Sequence, residues 1–403
     1  MCSSKANSEH GDNDVNQHSN MDTHGPIKVE SQMDTIMKNV ALYFPKMKAE
    51  VQTNHTNHTV LVIPNAICLE TNLHADKNEN EINKYDITLT THMGAGKYQR
   101  FLVLIQRWNG PVSIAVKFTN LLEIQLFHAF ILQHLKQLQR VSFHYYIEHA
   151  PEYANAYPHN VLRNLAMTHI STEYFLVDDV DIFPSPIDTH DKLRSVIASH
   201  PDIQQGLSTD TLYVVPMFDF HEMVPEEELT FDHASFPNKK EDAVRMNATG
   251  LISQHFILNY PKGHRAVNYE KWFGNDTGTS YDIVHEHKFE PYVIGSRNME
   301  RKLPLFYPYF RGYGFDKYSW YDELAWSGIK LRVMRDFYMF HAKHSSSYGD
   351  KDEKRKLFGM NRICAQDFMK DVKGKYRLQE DDHIWNEWRK KICGKNETCF
   401  KNA

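Results

Sequence analysis

The stretch "STEYFLVDDVDIFPSP", residues 171–186, joins an apolar run to three aspartates. Residues 174–177 are all aliphatic or aromatic, which predicts a buried β-strand. Asp178, Asp179 and Asp181 follow at once, and two prolines end the extended segment. Three negative charges at one strand end are costly without a counter-charge. The sequence therefore predicts a cation or ligand site at this strand end.

The direction of the side chains separates the three aspartates. Successive side chains of a strand point to opposite faces, so Asp179 and Asp181 share a face and Asp178 points with Val180. Two converging carboxylates suit Mg²⁺ or Mn²⁺, and such a cation can hold a diphosphate leaving group. The alternatives are a solvated acidic turn and a phosphohydrolase of the haloacid dehalogenase type. Ile182 and the residues after it depart from the phosphohydrolase motif, which disfavours that class.

Strand and helix patterns alternate ahead of the aspartates. Strands and helices take turns along the segments 85–93, 96–108, 110–118, 123–138, 141–149, 160–170 and 174–177. This alternation predicts an α/β domain with a mainly parallel sheet. Ligands of such sheets bind at the carboxyl ends of the strands, which is where the aspartates lie.

The pattern continues beyond the aspartates. Residues 211–220, 289–294 and 329–334 are predicted strands, and residues 317–328 are a predicted helix. Beyond about residue 350 the chain is charged and has helical spacing. We expect this last part to cover the outside of the domain.

Composition limits the classes of partner. The net charge of −5 gives no general attraction to nucleic acid or to an anionic membrane. No apolar run is long enough for a membrane span and no signal peptide is visible, so no membrane anchor is predicted. We expect residues 1–82 to be a low-complexity, disordered and stem-like segment, 83–380 one large domain and 381–403 a C-terminal tail.

Cysteines and glycosylation sequons bear on the compartment. The five cysteines contain no CxxC pair, and Cys393 and Cys399 close a short loop that could hold a disulfide. The alternative is five free thiols. A secretory route is favoured by the Asn-x-Thr sequons at Asn54, Asn57, Asn247, Asn275 and Asn396.

Several sequence blocks stand in a fixed order between residues 85 and 376. They are "DITLTTH", "RWNGPVSIAV", "NVLRNLAMTHISTEYFLVDDVDIFPSP", "VVPMFDF", "FPNKKED", "GHRAVNYEKW", "YDIVHEHKFEPYVI" and "FRGYGFDKYSWYDELAWSGIKLRVMRDFYMFHAKH". In this order they resemble glycosyltransferase family 49. The resemblance implies a GT-A fold and an inverting, Mn²⁺-dependent transfer from a UDP-sugar to a glycan or glycoprotein acceptor.

The resemblance also implies a biological setting. Glucuronate is the first expectation for the transferred sugar, and N-acetylglucosamine is the alternative within the family. A non-catalytic glycan-binding relative is the alternative outside enzymes. The Golgi lumen is the expected location, with a secreted or cytosolic protein as the alternative because no anchor is visible. A homodimer is left open.

The resemblance assigns residues to the metal and to the donor. Asp179 and Asp181 stand at the family's metal-binding DxD motif, and His341 stands at its late histidine, with His344 as the fallback. A histidine beside carboxylates favours Mn²⁺ over Mg²⁺. The cofactor-binding residues implied for the nucleotide and its diphosphate, besides Asp179, are Thr88, Thr90, Arg163 and Asn164.

An inverting transfer needs a general base for the acceptor hydroxyl. Glu323 matches a shared family glutamate and is the first expectation, followed by Asp316, where the family tends to have Asn, and by Asp219. An exposed helix carboxylate is the ordinary alternative for Glu323. The blocks further imply an acceptor site formed by Asn268, Trp272 and Glu290, although a core position is the commoner fate of a tryptophan.

Overall fold

The computed structural model describes residues 50–54, 58–63, 84–147, 156–170, 172–221, 229, 236–257, 259–274, 276–342, 351–379 and 381–393. Several predictions concern positions outside these residues. They are the disorder before residue 50, the fallback ligand His344, the pairing of Cys393 with Cys399, and the sequons at Asn57, Asn275 and Asn396.

The described elements follow one another in an α/β order. The strands are β1 (Glu50–Asn54), β2 (His58–Ile63), β3 (Ile87–Gly94), β4 (Val112–Phe118), β5 (Val141–Ile147), β6 (Tyr174–Val177), β7 (Ile182–Ser185), β8 (Thr211–Val215), β9 (Met217–Phe220), β10 (Ile252–Gln254), β11 (Ser280–Ile283), β12 (Tyr292–Ser296), β13 (Lys330–Met334) and β14 (Tyr338–His341). The α-helices are α1 (Tyr98–Arg107), α2 (Leu121–Gln133), α3 (His159–Thr168), α4 (Thr189–Ser199), α5 (Pro201–Thr209), α6 (Lys240–Ala248), α7 (Tyr269–Phe273), α8 (Tyr318–Trp326), α9 (Lys351–Tyr376) and α10 (His383–Cys393).

The larger sheet has the strand order β1-β2-β5-β4-β3-β6-β12-β8-β13-β11. Strands β5, β4, β3, β6, β8 and β13 run in one direction, and β12 runs against both of its neighbours. The side chains of β4 are buried along the whole strand, as expected when helices cover both faces of a parallel sheet. The predicted α/β fold with a mainly parallel sheet flanked by helices is confirmed.

Two strands precede the predicted start of the domain at residue 83. Strands β1 and β2 form an antiparallel hairpin, and β2 pairs with β5 at the edge of the larger sheet. Part of the segment expected to be stem-like therefore extends the sheet.

A proline divides one predicted strand into two. Residues 211–220 form β8 in the larger sheet and β9 in a second sheet, with Pro216 between them. Proline has no backbone N–H to continue a ladder, which favours the switch at this position. The second sheet has the order β10-β9-β14-β7, so the two sheets share the chain on either side of Pro216.

The C-terminal helices α9 and α10 build a second apolar core. Trp385 and Trp388 of α10 are buried in a cluster with Phe310, Phe315 and Phe368. Much of the expected C-terminal tail is therefore a packed helix. Cys364 of α9 forms a disulfide, so the alternative of five free thiols is wrong.

Candidate functional site

The three aspartates lie in a turn that carries the chain from the larger sheet to the smaller one. Strand β6 ends at Val177, and the N–H of Ile182, the first residue of β7, donates to the carbonyl of Asp179 (3.0 Å). Burial still alternates as expected for a strand, because Asp178 and Val180 are buried while Asp179 and Asp181 are partly exposed. The turn presents the predicted pair to the carboxyl end of the sheet.

Asp178 acts inside the turn. Its carboxyl oxygen accepts the N–H of Asp179 at 2.9 Å, and its own N–H donates to the carbonyl of Thr90 at 2.9 Å. Burial, together with the charge of Asp179, raises the pKa of Asp178 well above its usual value. Asp178 therefore fixes the turn through these two hydrogen bonds, and its second carboxyl oxygen has no hydrogen-bond partner among the described residues.

Asp179 is the centre of an ionic cluster. Lys317 Nζ (2.7 Å) and Tyr292 Oη (2.6 Å) donate to its Oδ2. Arg163 Nη2 lies 3.5 Å and His92 Nε2 lies 3.4 Å from its Oδ1. Burial opposes ionisation, but the charges of Lys317 and Arg163 outweigh it and hold the pKa of Asp179 well below its usual value. Asp179 is therefore an anion held by cations of this chain.

Arg163 links Asp179 to a second carboxylate. Its Nη1 donates to Asp316 Oδ2 at 3.0 Å and to Asn160 Oδ1 at 3.0 Å. Burial favours the neutral form of Asp316, but Arg163 and His159 hold its pKa below the usual value. The guanidinium nitrogen Nε has no hydrogen-bond partner among the described residues.

The loop that delivers Asp316 and Lys317 has an unusual backbone. Gly312 and Gly314 adopt φ of 63° and 88°, and Phe315 adopts φ of 69°. A residue with a side chain rarely adopts a positive φ, so a buried Phe315 in this conformation is held by its packing. Gly312 and Gly314 thus allow the tight turn that precedes Asp316 and Lys317, whose side chains contact Arg163 and Asp179.

A second cluster joins one aspartate and two histidines from the smaller sheet. Asp219 lies on β9, His255 directly follows β10, and His341 ends β14. His255 Nδ1 and His341 Nδ1 lie 2.5 Å and 3.0 Å from the same oxygen, Asp219 Oδ1. The N–H of Phe256 donates to the other oxygen at 2.8 Å. The ligand atoms of the three residues lie within 4.8 Å of one another, close enough to share one metal ion.

The charges in this cluster fit a divalent cation. Burial opposes ionisation of Asp219, but hydrogen bonds with His255 and His341 hold its pKa far below the usual value. Burial lowers the pKa of His255, which keeps the imidazole neutral and able to bind a metal. Two imidazoles and a carboxylate suit Mn²⁺ better than Mg²⁺. His341 pairs in register with Ile182, the neighbour of Asp181, so the aspartate turn borders this cluster.

The other residues predicted to bind the donor, Thr88, Thr90 and Asn164, make hydrogen bonds within the protein. The hydroxyl of Thr90 donates to the carbonyl of Leu176 (3.1 Å), and Thr88 shares a hydrogen bond with Thr172. The amide of Asn164 exchanges two hydrogen bonds with the backbone of Phe306, at 2.7 and 2.9 Å. These residues join elements around the turn, and their buried side-chain atoms are already in use.

The first-choice base and two acceptor residues lie elsewhere in the fold. Glu323 accepts hydrogen bonds from Lys375 (2.8 Å) and Tyr376 (3.0 Å) of α9. Trp272 is fully buried and donates to the carbonyl of Met334, so its ring offers no face to a sugar. Asn268 caps α7 by accepting the N–H of Lys271 at 3.2 Å. The structure does not bring these three residues into the aspartate clusters.

Glu290, the third predicted acceptor residue, does lie at the site. It directly precedes Pro291 and β12, whose Tyr292 contacts Asp179. Burial, with the charge of Asp316, raises the pKa of Glu290 to about 7. This carboxyl group can therefore change its charge at neutral pH.

Sequence reasoning missed Lys317, Tyr292 and His255. Lys317 follows Asp316, and Tyr292 lies two residues after Glu290. Both stand in blocks that match the family, so the match could have identified them as site residues. His255 is one of 24 histidines and has no local signature. Only the pairing of β10 with β9 brings it to Asp219.

Within the part of the chain that the structure describes, no helix combines the length and apolar character needed to cross a membrane.

Comparisons with known proteins agree on one family. The model of the family described as "Glycosyl-transferase for dystroglycan", glycosyltransferase family 49, matches residues 150–377. Xylosyl- and glucuronyltransferase LARGE1 of Mus musculus is 28% identical over 306 residues, which are 74% of this chain and 37% of LARGE1. The glycosyltransferase-like protein gnt14 of Dictyostelium discoideum is 25% identical over 327 residues, or 80% of this chain and 47% of gnt14. This chain thus spans less than half the length of either relative.

A solved structure also shows a distant likeness. The crystal structure of GalNAc-T7 with UDP, GalNAc and Mn²⁺ covers 76% of this chain and 56% of its own, with a TM-score of 0.39 and 10% sequence identity. A similarity of this size carries no argument about function.

Proposed function

The chain belongs to glycosyltransferase family 49, and on that premise we propose that it catalyses an inverting, Mn²⁺-dependent transfer of a sugar from a UDP-sugar to a glycan acceptor. The fold is the GT-A glycosyltransferase fold. The observation that carries the proposal is the convergence of Asp219, His255 and His341 beside the aspartate turn. A metal-ligating set and a turn of carboxylates thus meet at the edge where α/β sheets bind ligands.

The residues present fit a divalent cation, and we propose that it is held by His341, Asp219 and His255 with Asp181. When bound, the cation neutralises the charge that develops on the departing diphosphate. Asp179 has a different role in this proposal. Because Lys317 and Tyr292 already donate to its Oδ2, Asp179 positions the two cationic side chains of the site, Lys317 and Arg163.

Buried polar atoms without partners support a nucleotide pocket beside the turn. Among the described residues, Thr91 Oγ1, Asp178 Oδ2 and Arg163 Nε are buried and make no hydrogen bond. Buried polar groups are nearly always satisfied, so unpaired ones at a site indicate a missing partner. Thr91 follows Thr90, whose carbonyl accepts the N–H of Asp178, so its backbone lies beside the aspartate turn. A uridine or its ribose could supply the partners that these atoms lack.

Glucuronate is the donor sugar we propose, with N-acetylglucosamine as the alternative. The support is that LARGE1, a relative that this chain covers only in part, is a xylosyl- and glucuronyltransferase. We further propose the Golgi lumen as the location. The disulfide of Cys364 supports it, because disulfides persist in oxidising compartments.

A donor screen tests the proposed function. UDP release is measured from UDP-glucuronate, UDP-xylose, UDP-galactose and UDP-N-acetylglucosamine, with and without Mn²⁺. We expect release from one donor that requires Mn²⁺ and falls at least about 100-fold in Asp181→Ala. Asp188→Ala is the matched control, because Asp188 is exposed and pairs with Lys192. Glycan binding without UDP release from any donor would instead indicate a non-catalytic relative.

A further inference from the structure

Glu290 differs from the other carboxylates of the site in having no fixed partner. Among the described residues its carboxylate makes no hydrogen bond or ion pair, and the residue is partly exposed. Its backbone is nevertheless anchored, because its N–H donates to the carbonyl of Gly263 at 2.9 Å. A positioned main chain with an unoccupied carboxylate is the arrangement that a proton acceptor for a substrate requires.

The strand register places Glu290 beside the aspartate turn. Strand β12 runs antiparallel to β6, with Ile294 opposite Leu176. Continued toward the start of β12, this register brings Tyr292 and then Glu290 past the end of β6, where the aspartates begin. Glu290 lies two residues before Tyr292, and the residue before a proline favours an extended backbone, which would place the two side chains on one face. Tyr292 on that face reaches Asp179.

The groups around Glu290 come from several elements and carry both signs of charge. Anions close to it are Asp316 and Asp179, and the cations are Lys317 and Arg163. The other titratable side chains that its charge affects are Tyr260, Tyr318, Tyr321 and Lys391. Asp316 is fixed as an anion by Arg163, so its charge keeps Glu290 a better proton acceptor than an ordinary glutamate.

The three carboxylates predicted as bases are each held by other groups. Asp316 is paired with Arg163, and Asp219 with His255 and His341. Glu323 is bonded to α9. A carboxylate in a strong ion pair has a low proton affinity and is a poor general base.

We propose that Glu290 is the general base that accepts the proton of the acceptor hydroxyl. The inference rests on the proposed function. The acceptor oxygen forms a bond to the anomeric carbon while the bond from that carbon to the UDP oxygen breaks. The electron pair of the broken bond leaves with UDP, and the hydroxyl proton moves to a carboxylate oxygen of Glu290. Asp316 is a positioning residue in this step. Its negative charge raises the proton affinity of Glu290, but Asp316 does not itself accept the proton.

The experiment compares Glu290→Gln, Glu323→Gln and Asp316→Asn with the wild type. The initial rate of transfer from the best UDP-sugar to a glycan acceptor is measured across pH 5–9, and UDP affinity with Mn²⁺ is measured by calorimetry. Glu286→Gln is the matched control, because it is the same substitution in the same loop and Glu286 pairs with Arg265 at the surface.

The expected result has three parts. Glu290→Gln lowers kcat about 10²–10⁴-fold while UDP affinity stays within about twofold, which excludes misfolding. The wild-type kcat/KM falls below about pH 7 as Glu290 becomes protonated, and this acidic limb is lost in Glu290→Gln. Asp316→Asn, which puts the family's residue at this position, moves the limb to lower pH because it removes the nearby negative charge.

Other results overturn the inference. If Glu290→Gln keeps more than about a tenth of the wild-type kcat, or if Glu323→Gln alone abolishes the acidic limb, Glu290 is not the base. If the wild type transfers sugar from no donor, the proposed function fails and the base assignment fails with it. An active wild type with an active Glu290→Gln variant rejects the base assignment alone.

Discussion

The protein contains two clusters with the same composition, one aspartate and two histidines, and they differ in how the three side chains meet. In the Asp322 cluster, His285 Nε2 and His287 Nδ1 lie 2.7 Å and 2.8 Å from different carboxylate oxygens. In the Asp219 cluster both histidines approach one oxygen. Residue types alone therefore do not make a metal site, because convergence on one point is also needed.

Exposure separates the two clusters further. Asp322 is fully buried, and Trp388 of α10 donates to its Oδ2 at 2.7 Å as a third partner. The side chain of Asp219 keeps 19% of its surface exposed. Asp322 thus joins α8, α10 and the loop after β11, with each oxygen in use. Asp219 has room for an additional ligand. We therefore assign a structural role to the Asp322 cluster and metal binding to the Asp219 cluster.

The largest effect is expected from Asp322→Ala. The substitution leaves the buried donors of His285, His287 and Trp388 without their acceptor. We expect the free energy of unfolding to fall by about 3–5 kcal/mol, measured by denaturant titration. A loss below about 1 kcal/mol would mean that this cluster does not hold the C-terminal helix in place.

The second effect separates the clusters by metal affinity. His341→Ala is expected to weaken Mn²⁺ binding at least about 100-fold, because it removes a proposed ligand. His285→Ala is the matched control and should change the affinity less than about threefold, since His285 Nε2 pairs with Asp322 and His285 is not among the residues that converge with Asp219. Mn²⁺ binding is followed by electron paramagnetic resonance. Equal losses in both variants would contradict the distinction between the clusters.

A third prediction concerns Glu290, a partly exposed carboxylate that has no hydrogen-bond partner of the kind Asp322 has. The pKa of Glu290 is raised to about 7 from the ordinary value of 4.5, so the folded chain binds this proton more tightly than the unfolded chain. Stability therefore falls as pH rises from about 4.5 to 7, and the cost is complete above pH 7. Glu290→Gln removes that cost and should raise stability at pH 8 by roughly 1–3 kcal/mol.

Thermal melts at pH 8 and pH 5 check this third prediction. The stabilisation by Glu290→Gln should be present at pH 8 and mostly absent at pH 5, where Glu290 is already protonated in the folded wild type. A gain of equal size at both values would show that the effect comes from packing and not from charge.

The smallest effect is expected beside the buried cluster. Glu286 lies between His285 and His287 in the sequence but pairs with Arg265 at the surface, with Nε to Oε2 at 2.6 Å. Glu286→Gln should change the free energy of unfolding by less than about 1 kcal/mol, because exposed ion pairs contribute little. A change as large as that of Asp322→Ala would show that the loop, not Asp322, carries the stability.

Strand and helix periodicity predicted the order of elements from β3 to β6 and the edge that carries the site. The position of Asp219 and His341 on neighbouring strands could not be predicted, because the switch at Pro216 creates a second sheet whose pairing joins residues far apart in sequence. For Glu323 the sequence block gave the position of the residue but not its contacts. Its block matched, but the direction of its side chain depends on packing against α9, which local sequence does not encode.

The matched sequence blocks did not distinguish the environments of the predicted acceptor residues Trp272 and Glu290. Trp272 and Glu290 both stood in matched blocks, and nothing local distinguished a core position from a site position. Trp272 packs against Phe218 and Tyr338, two aromatic side chains of the smaller sheet. Desolvation and the nearby charge of Asp316 raise the pKa of Glu290. Both outcomes depend on contacts formed only in the folded chain.

The most direct test is an anomalous-diffraction map of crystals grown with Mn²⁺ and UDP. We expect one manganese peak at His341, Asp219 and His255, with Asp181 and the UDP phosphates also close to it and Asp178 outside its ligands. The cluster around Asp322 should hold no peak. A manganese ion at Asp322, or none at His341 while UDP is bound, would show that the Asp219 cluster is not the metal site.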